Sequence, residues 1–393
     1  MLKIMLVLLF HWPVVIAAAS TPADPVSLAP NALAPDSALP DFYQQLQQQQ
    51  RYPASWASGN FTELSQWRDN GRAILRQSLL WPEQVVDYAP VLLKTEQRDG
   101  YRAELWSVQL TSHSRTNLLL LRPEQQVEPA RPLPAMLLLH DHGARFDIGK
   151  EKMIRPFADD PRLAAAGKWS ERYFSGRFIG DELAKQGYLV VAADTLGWSD
   201  RGPIEFAQQQ ALASNFLLMG RSLAGFAAFE DLQLVRFIRQ LPAVDPERLG
   251  VLGFSMGAFR AWQLAALTDD IKAGVAVAWL NRYQQLLVPG NNIVGGQSAF
   301  YMLHPGLAGQ LDIPDVASLA APKAMLFING GQDPLMPVEG VNAAYQRMTQ
   351  VWQAYDASAA LTTKMWPQYG HEFTAQQQQQ AFAWLAQQLQ TGK

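Results

Sequence analysis

Gly253-Phe254-Ser255-Met256-Gly257 sets a serine between two glycines where an apolar run gives way to a helix-forming run, and this junction constrains the fold more than any other feature. Arg248 to Gly253 (RLGVLG) reads as a short buried strand, and Ala258 to Leu267 (AFRAWQLAAL) as a helix rich in good helix formers. Ser255 then occupies a tight strand-to-helix turn. A β-carbon at Gly253 or Gly257 would collide with the neighbouring strand or helix, and backbone strain at the serine marks a functional position.

The same alternation runs through the rest of the chain. Tyr101 to Leu110 alternates polar and apolar residues, and Asn117 to Leu121 and Pro134 to Leu139 are apolar strands. There follow strand Tyr188 to Ala193, helix Ala224 to Leu241, the strand and helix around Ser255, and strands Ala273 to Trp279 and Lys323 to Ile328. A helix from Val338 to Tyr355, a strand from Leu361 to Met365 and a helix after Phe373 complete the series. This order predicts an α/β fold with a mostly parallel sheet, helices on both faces, and ligands bound beyond the carboxyl ends of the strands. Phe61 to Leu80 has amphipathic spacing, so residues 41–100 are expected to form a helical N-terminal arm on a catalytic domain of residues 101–393. The long connections Ala144 to Gly180, Thr195 to Gly225 and Asn281 to Pro322 are expected to act as cap insertions over a pocket. The glutamine-rich stretches Gln44 to Gln50 and Gln376 to Gln380 read as solvated helix faces.

With 393 residues, 48% of them hydrophobic, the chain can bury a large core. Its formal charge of -3 argues against a nucleic-acid partner held by phosphate neutralisation. There is no cysteine, which excludes disulfides, thiolate metal sites and thiol nucleophiles. Met1-Leu2-Lys3, the apolar run Ile4 to Ile16 and Ala17-Ala18-Ala19-Ser20 read as a signal peptide over residues 1–19, and residues 20–40 as a flexible lead-in. The run is short for a bilayer span and Pro13 interrupts it. The expected mature protein is exported, periplasmic or secreted, with no stable membrane insertion. The sequence leaves its oligomeric state open.

A serine hydroxyl needs a base within hydrogen-bond reach and an acid that orients the base. His371 follows the last strand in Trp366-Pro-Gln-Tyr-Gly-His-Glu-Phe373, and Asp333 follows the strand before it in Asn329-Gly-Gly-Gln-Asp-Pro-Leu-Met-Pro337. Ser255, Asp333 and His371 thus stand in the chain order of a nucleophile, acid and base at the carboxyl ends of their own strands. Asp194 also ends a strand, but precedes the nucleophile and reads as a site-shaping or substrate-binding residue. The backbone N–H groups of Met256 and of Ala144, in His140-Asp-His-Gly-Ala-Arg-Phe146, are the expected oxyanion donors. His140-Asp141-His142 also has the side chains of a metal site, yet neighbours in an extended loop point in different directions and no second ligand cluster accompanies them. The reading therefore assigns neither metal nor cofactor. His142, Arg145 and Trp198 are candidate substrate contacts, as are the aromatics Trp169, Tyr173, Phe174, Trp279 and Tyr283. Arg145, Lys150 and Lys152 offer charge for an anionic substrate or simply form a solvated face.

These segments resemble the α/β-hydrolase superfamily over about residues 100–390, in particular its dienelactone-hydrolase-like and acetyl-xylan-esterase-like branch. The resemblance rests on the serine, acid and histidine motifs in order, and on Leu139-His-Asp-His-Gly-Ala-Arg145, Ala193-Asp-Thr-Leu-Gly-Trp198 with Asp200-Arg201, and Val244-Asp-Pro-Glu-Arg-Leu-Gly250. It implies cofactor-free hydrolysis of carboxylic esters, often of acylated carbohydrates. Position 255 departs from the dienelactone hydrolases proper, whose nucleophile is cysteine. The competing readings are a serine peptidase of prolyl-oligopeptidase type, disfavoured because no β-propeller fits before residue 100, and a non-catalytic binding protein on a hydrolase fold.

Overall fold

Runs of alternating or wholly apolar residues form the strands. The computed structural model describes residues 42–79, 86–112, 114–124, 131–288 and 298–390. The strands are β1 Val91–Arg98, β2 Tyr101–Thr111, β3 Ser114–Pro123, β4 Leu133–Leu139, β5 Leu189–Ala193, β6 Val244–Phe254, β7 Ala273–Val277, β8 Ala324–Gly330 and β9 Leu361–Trp366. They make one nine-stranded sheet in the order β1-β2-β3-β5-β4-β6-β7-β8-β9. Pairing is antiparallel from β1 to β5 along that order and parallel from β5 to β9. The signal peptide and lead-in expected over residues 1–40 lie outside the described residues.

The helices are α1 Phe42–Gln49, α2 Leu64–Leu79, α3 Leu163–Tyr173, α4 Ile179–Lys185, α5 Phe206–Leu218, α6 Leu223–Arg239, α7 Met256–Leu267, α8 Tyr283–Leu286, α9 Ile313–Ser318, α10 Val338–Ala354 and α11 Ala375–Leu389. Two cores flank the sheet. In β4, Ala135, Leu137 and Leu139 enter one with α2, α6, α7, α9 and α10, while Met136 and Leu138 enter the other with α4 and α11. That split is the two-residue period of a strand covered on both faces, which explains why β4 is apolar throughout. Among the described residues no single helix is long and apolar enough to cross a membrane.

The arm departs from the expected boundary. Its helix α2 buries Trp67 and Leu75, and Arg68 and Arg72 pair with Asp269 just beyond α7. Residues 91–98, however, form an edge strand of the sheet instead of part of a helical arm. Val91, Leu92 and Leu93 are about half exposed there, and the register shifts between Leu92 and Lys94. An edge strand with a bulge and one open face loses the polar-apolar alternation by which strands are read.

Candidate active site

Ser255 links β6 to α7 with φ 54° and ψ -123°, a backbone conformation that costs an L-residue energy. Neighbouring backbone enforces it. A β-carbon on Gly253 would lie 2.0 Å from Gly257 O, and one on Gly257 would lie 1.9 Å from Leu139 O at the end of β4. Ser255 N donates to Val277 O (2.8 Å), and Ser255 O accepts from Ala258 N (2.8 Å) and Phe259 N (3.1 Å). The turn is therefore clamped between β7 and the first turn of α7.

Asp333 lies in the turn after β8, and His371 in the loop after β9. The fold brings all three predicted residues together. His371 Nδ1 lies 2.7 Å from Asp333 Oδ2, and its Nε2 lies 2.9 Å from Ser255 Oγ. Asp333 Oδ1 accepts from Leu335 N (2.9 Å), which fixes the carboxylate plane. With a carboxylate at Nδ1, the proton of neutral imidazole resides there and Nε2 presents its lone pair to the serine hydroxyl. The carboxylate is fully covered while the imidazole retains 17% exposure. Of this pair, solvent reaches only the imidazole.

The expected oxyanion donors fare differently. Met256 N opens α7, where the first amides have no intrahelical acceptor. Ala144 N instead donates to His142 Nδ1 (3.1 Å), so in this arrangement it is not directed at an oxyanion. His142 Nε2 then donates to Gln209 Oε1 (2.6 Å) on α5. His140 likewise uses both nitrogens, Nδ1 toward Asp141 O (2.9 Å) and Nε2 accepting from Thr195 N (3.1 Å). Burial holds His142 neutral by lowering its pKa to about 4, and pushes His140 well below its ordinary value. With their lone pairs engaged by protein N–H groups, these imidazoles do not fit a metal site.

Several candidate substrate contacts prove to be internal supports. Trp198 is completely buried among His140, His142, Phe146 and Tyr301, so it builds the loop and does not face a sugar. His142 is buried beside it. Arg145 is partly exposed but forms a two-pronged pair with Asp147 (2.7 and 2.5 Å). Lys150 and Lys152 are neither a solvated face nor free for an anion: both are almost wholly buried. Lys150 Nζ donates to Glu151 (2.8 Å), Asp194 (2.6 Å) and Asp200 (2.8 Å). Those three carboxylates could by spacing surround a cation, and the ammonium already supplies that charge. Asp194 is accordingly an internal ion-pair partner.

Lys152 is a residue that the motifs did not reveal as a support. Its Nζ donates to Asp141 O (3.0 Å) and His142 O (2.9 Å), lies 3.4 Å from Asp141 Oδ2, and sits 4.8 Å from the centre of the Trp169 ring. Trp169 Nε1 donates to the other Asp141 oxygen (3.1 Å). A buried ammonium without such partners would cost several kcal/mol, so this loop and Lys152 hold each other in place. Because β4's end abuts Gly257, the loop's position is tied to the serine turn. Lys152→Met should shift the loop against the serine turn and is expected to lower kcat by about 100-fold with little change in KM, the scale of a misplacement of about 1 Å at a reacting group. Steady-state kinetics on an aryl ester would measure it; unaltered kcat would refute the positioning role. Only the folded loop reveals such a lysine, since Lys150 and Lys152 stand in sequence like any surface pair.

Residues 42–384 match the model of the Abhydrolase family. A Bacillus subtilis (strain 168) protein named as a hydrolase, YtaP, is 29% identical over 266 residues, 68% of this chain and 81% of its own length. A CE15 glucuronoyl esterase from Teredinibacter turnerae T7901 superposes with a TM-score of 0.61 at 14% identity, covering 91% of this chain and 94% of its own. Acetyl xylan esterase 1 from Thermoanaerobacterium sp. JW/SL YS485 gives 0.50 at 16% identity over 88% and 98%. At such identities these two structures share the fold. The sheet, the serine turn and a family match spanning most of the sequence together show that the chain, with its α/β-hydrolase fold, belongs to the Abhydrolase family.

Proposed function

We propose that this protein is an exported serine esterase that hydrolyses carboxylic esters of carbohydrates through an acyl-enzyme. The observation that carries the reading is the relay from Asp333 through His371 to Ser255, with hydrogen bonds of 2.7 and 2.9 Å. In the proposed first step His371 Nε2 takes the Ser255 proton as Oγ attacks the ester carbonyl, and the oxyanion is met by Met256 N. His371 then gives that proton to the departing alcohol as the C–O bond breaks. Water, deprotonated by the same nitrogen, attacks the acyl-serine, and the proton returns to Oγ as the carboxylic acid leaves. Asp333 compensates the imidazolium formed in each step. The carbohydrate class is supported by the names of the structural neighbours, an acetyl xylan esterase and a glucuronoyl esterase. Export is supported by the composition of residues 1–19.

A panel tests the substrate class: acetylated xylo-oligosaccharides, a benzyl ester of glucuronic acid, an aryl acetate and a prolyl peptide anilide. Turnover of the sugar esters with kcat/KM at least about 10-fold above the aryl acetate is expected, since remote sugar contacts add transition-state binding. Preference for the peptide anilide would refute the esterase reading.

A further inference from the structure

One cavity is unconnected with the relay's chemistry and has a distinct character. It has a volume of about 290 Å³ and is walled by Phe259, Trp262, Trp279, Met302, His304 and Val316, with Leu217 of α5 beside them. An apolar cavity of about 150 Å³ already accommodates benzene. Three of the walls form an aromatic corner: Phe259 meets Trp262 at 4.9 Å and 77°, and Trp279 at 5.0 Å and 66°, edge to face. Such edges and faces suit a further aromatic ring. At the end of α5, Leu218 and Met219 are 88% and 63% exposed, which gives an apolar approach next to Leu217.

Two polar atoms distinguish this cavity from a packing defect. His304 Nε2 is hydrogen-bonded to Gln263 Oε1, so the ring is protonated there and Nδ1 carries a lone pair. Burial lowers the pKa of this imidazole to about 4, which keeps it neutral at ordinary pH. Nδ1 has no partner among the described residues, and neither has the indole Nε1–H of Trp262. Both side chains are more than nine-tenths buried, and an unpaired buried polar group is costly. Trp262 and His304 both line the cavity, so its aromatic walls carry one unpaired donor and one unpaired acceptor just beneath their surface. A hydroxyl can satisfy both, donating to Nδ1 and accepting from the indole N–H.

We infer that this cavity is a binding site for a small hydroxylated aromatic molecule, its ring against Phe259 and Trp279 and its hydroxyl toward His304 Nδ1 and Trp262 Nε1. The site begins one helical turn beyond the nucleophile, since Phe259 N donates to Ser255 O, but the inference does not depend on ester hydrolysis.

Titration of the ¹⁵N-labelled protein with phenol and with toluene, read at the tryptophan indole resonances, tests this. Trp262→Phe identifies the Trp262 signal by its loss. Phenol is expected to bind saturably, to shift that signal downfield, and to bind about 10-fold more tightly than toluene, the scale of a buried hydrogen bond regained. His304→Phe should bind toluene as before while losing most of the preference for phenol, and retained toluene binding shows that the variant is folded. Ser255→Ala should bind phenol like the unmodified protein, which separates this site from the proposed acylation chemistry. No saturable binding, equal affinity for the two compounds, or an undiminished phenol preference in His304→Phe would overturn the inference.

Discussion

Ser255→Ala is expected to lower kcat for ester hydrolysis by about 10⁶-fold, to the background left by binding and oxyanion contacts. The size of the loss follows from how the relay is wired. His371 Nε2 is within 2.9 Å of Ser255 Oγ, and no acyl-enzyme can form once that oxygen is gone. The imidazole could still deprotonate a water, but without a nucleophile held in line such catalysis retains only a small part of the acceleration. Alanine keeps a β-carbon at the φ 54° position, so the strain and the clamp from Val277 and Phe259 persist. The thermal unfolding midpoint should therefore stay close to that of the unmodified protein. Pre-steady-state measurement with a chromogenic short-chain ester should give a burst for the unmodified protein and none for the variant. Equal turnover by the two proteins would remove Ser255 from the mechanism.

The convergence of Ser255, Asp333 and His371 was legible in the sequence, because each follows a strand that is apolar enough to be recognised and loops must leave a covered parallel sheet at its strand ends. The β-carbon collisions expected at Gly253 and Gly257 are the close approaches to Gly257 O and Leu139 O. What escaped reading depended on burial that spacing does not encode. Lys150 and Lys152 belong to a residue type that normally reaches solvent and Trp198 to one found in cores and clefts alike, and only the folding back of the loop after β4 places the lysines inside. The amide of Ala144 was a plausible oxyanion donor by position, but its direction depends on a positive φ of 54°, a value that alanine does not advertise. The strand β1 was missed for the opposite reason. Its apolar residues Val91, Leu92 and Leu93 face outward at the sheet edge, so they neither alternate nor cluster as buried strands do.

Asp333→Asn carries the second large expected effect, a loss of about 10⁴-fold in kcat with the fold retained. The carboxylate has two separate tasks. Oδ1 accepts from Leu335 N at 2.9 Å, and Oδ2 accepts from His371 Nδ1 at 2.7 Å. In the amide, the oxygen must stay with Leu335 N, because turning it would set the NH₂ group against a backbone N–H. The NH₂ then faces His371 and donates to Nδ1, which obliges the imidazole proton to move to Nε2. An Nε2–H directed at Ser255 Oγ cannot accept the serine proton, and no negative charge remains to compensate an imidazolium. Because the substitution preserves size and the Leu335 hydrogen bond, the loss should fall on kcat and not on stability. The downfield proton resonance of a carboxylate-bound Nδ1–H should also vanish in the variant. A fall of less than about 10-fold, with that resonance intact, would mean that a group other than Asp333 sets the tautomer of His371.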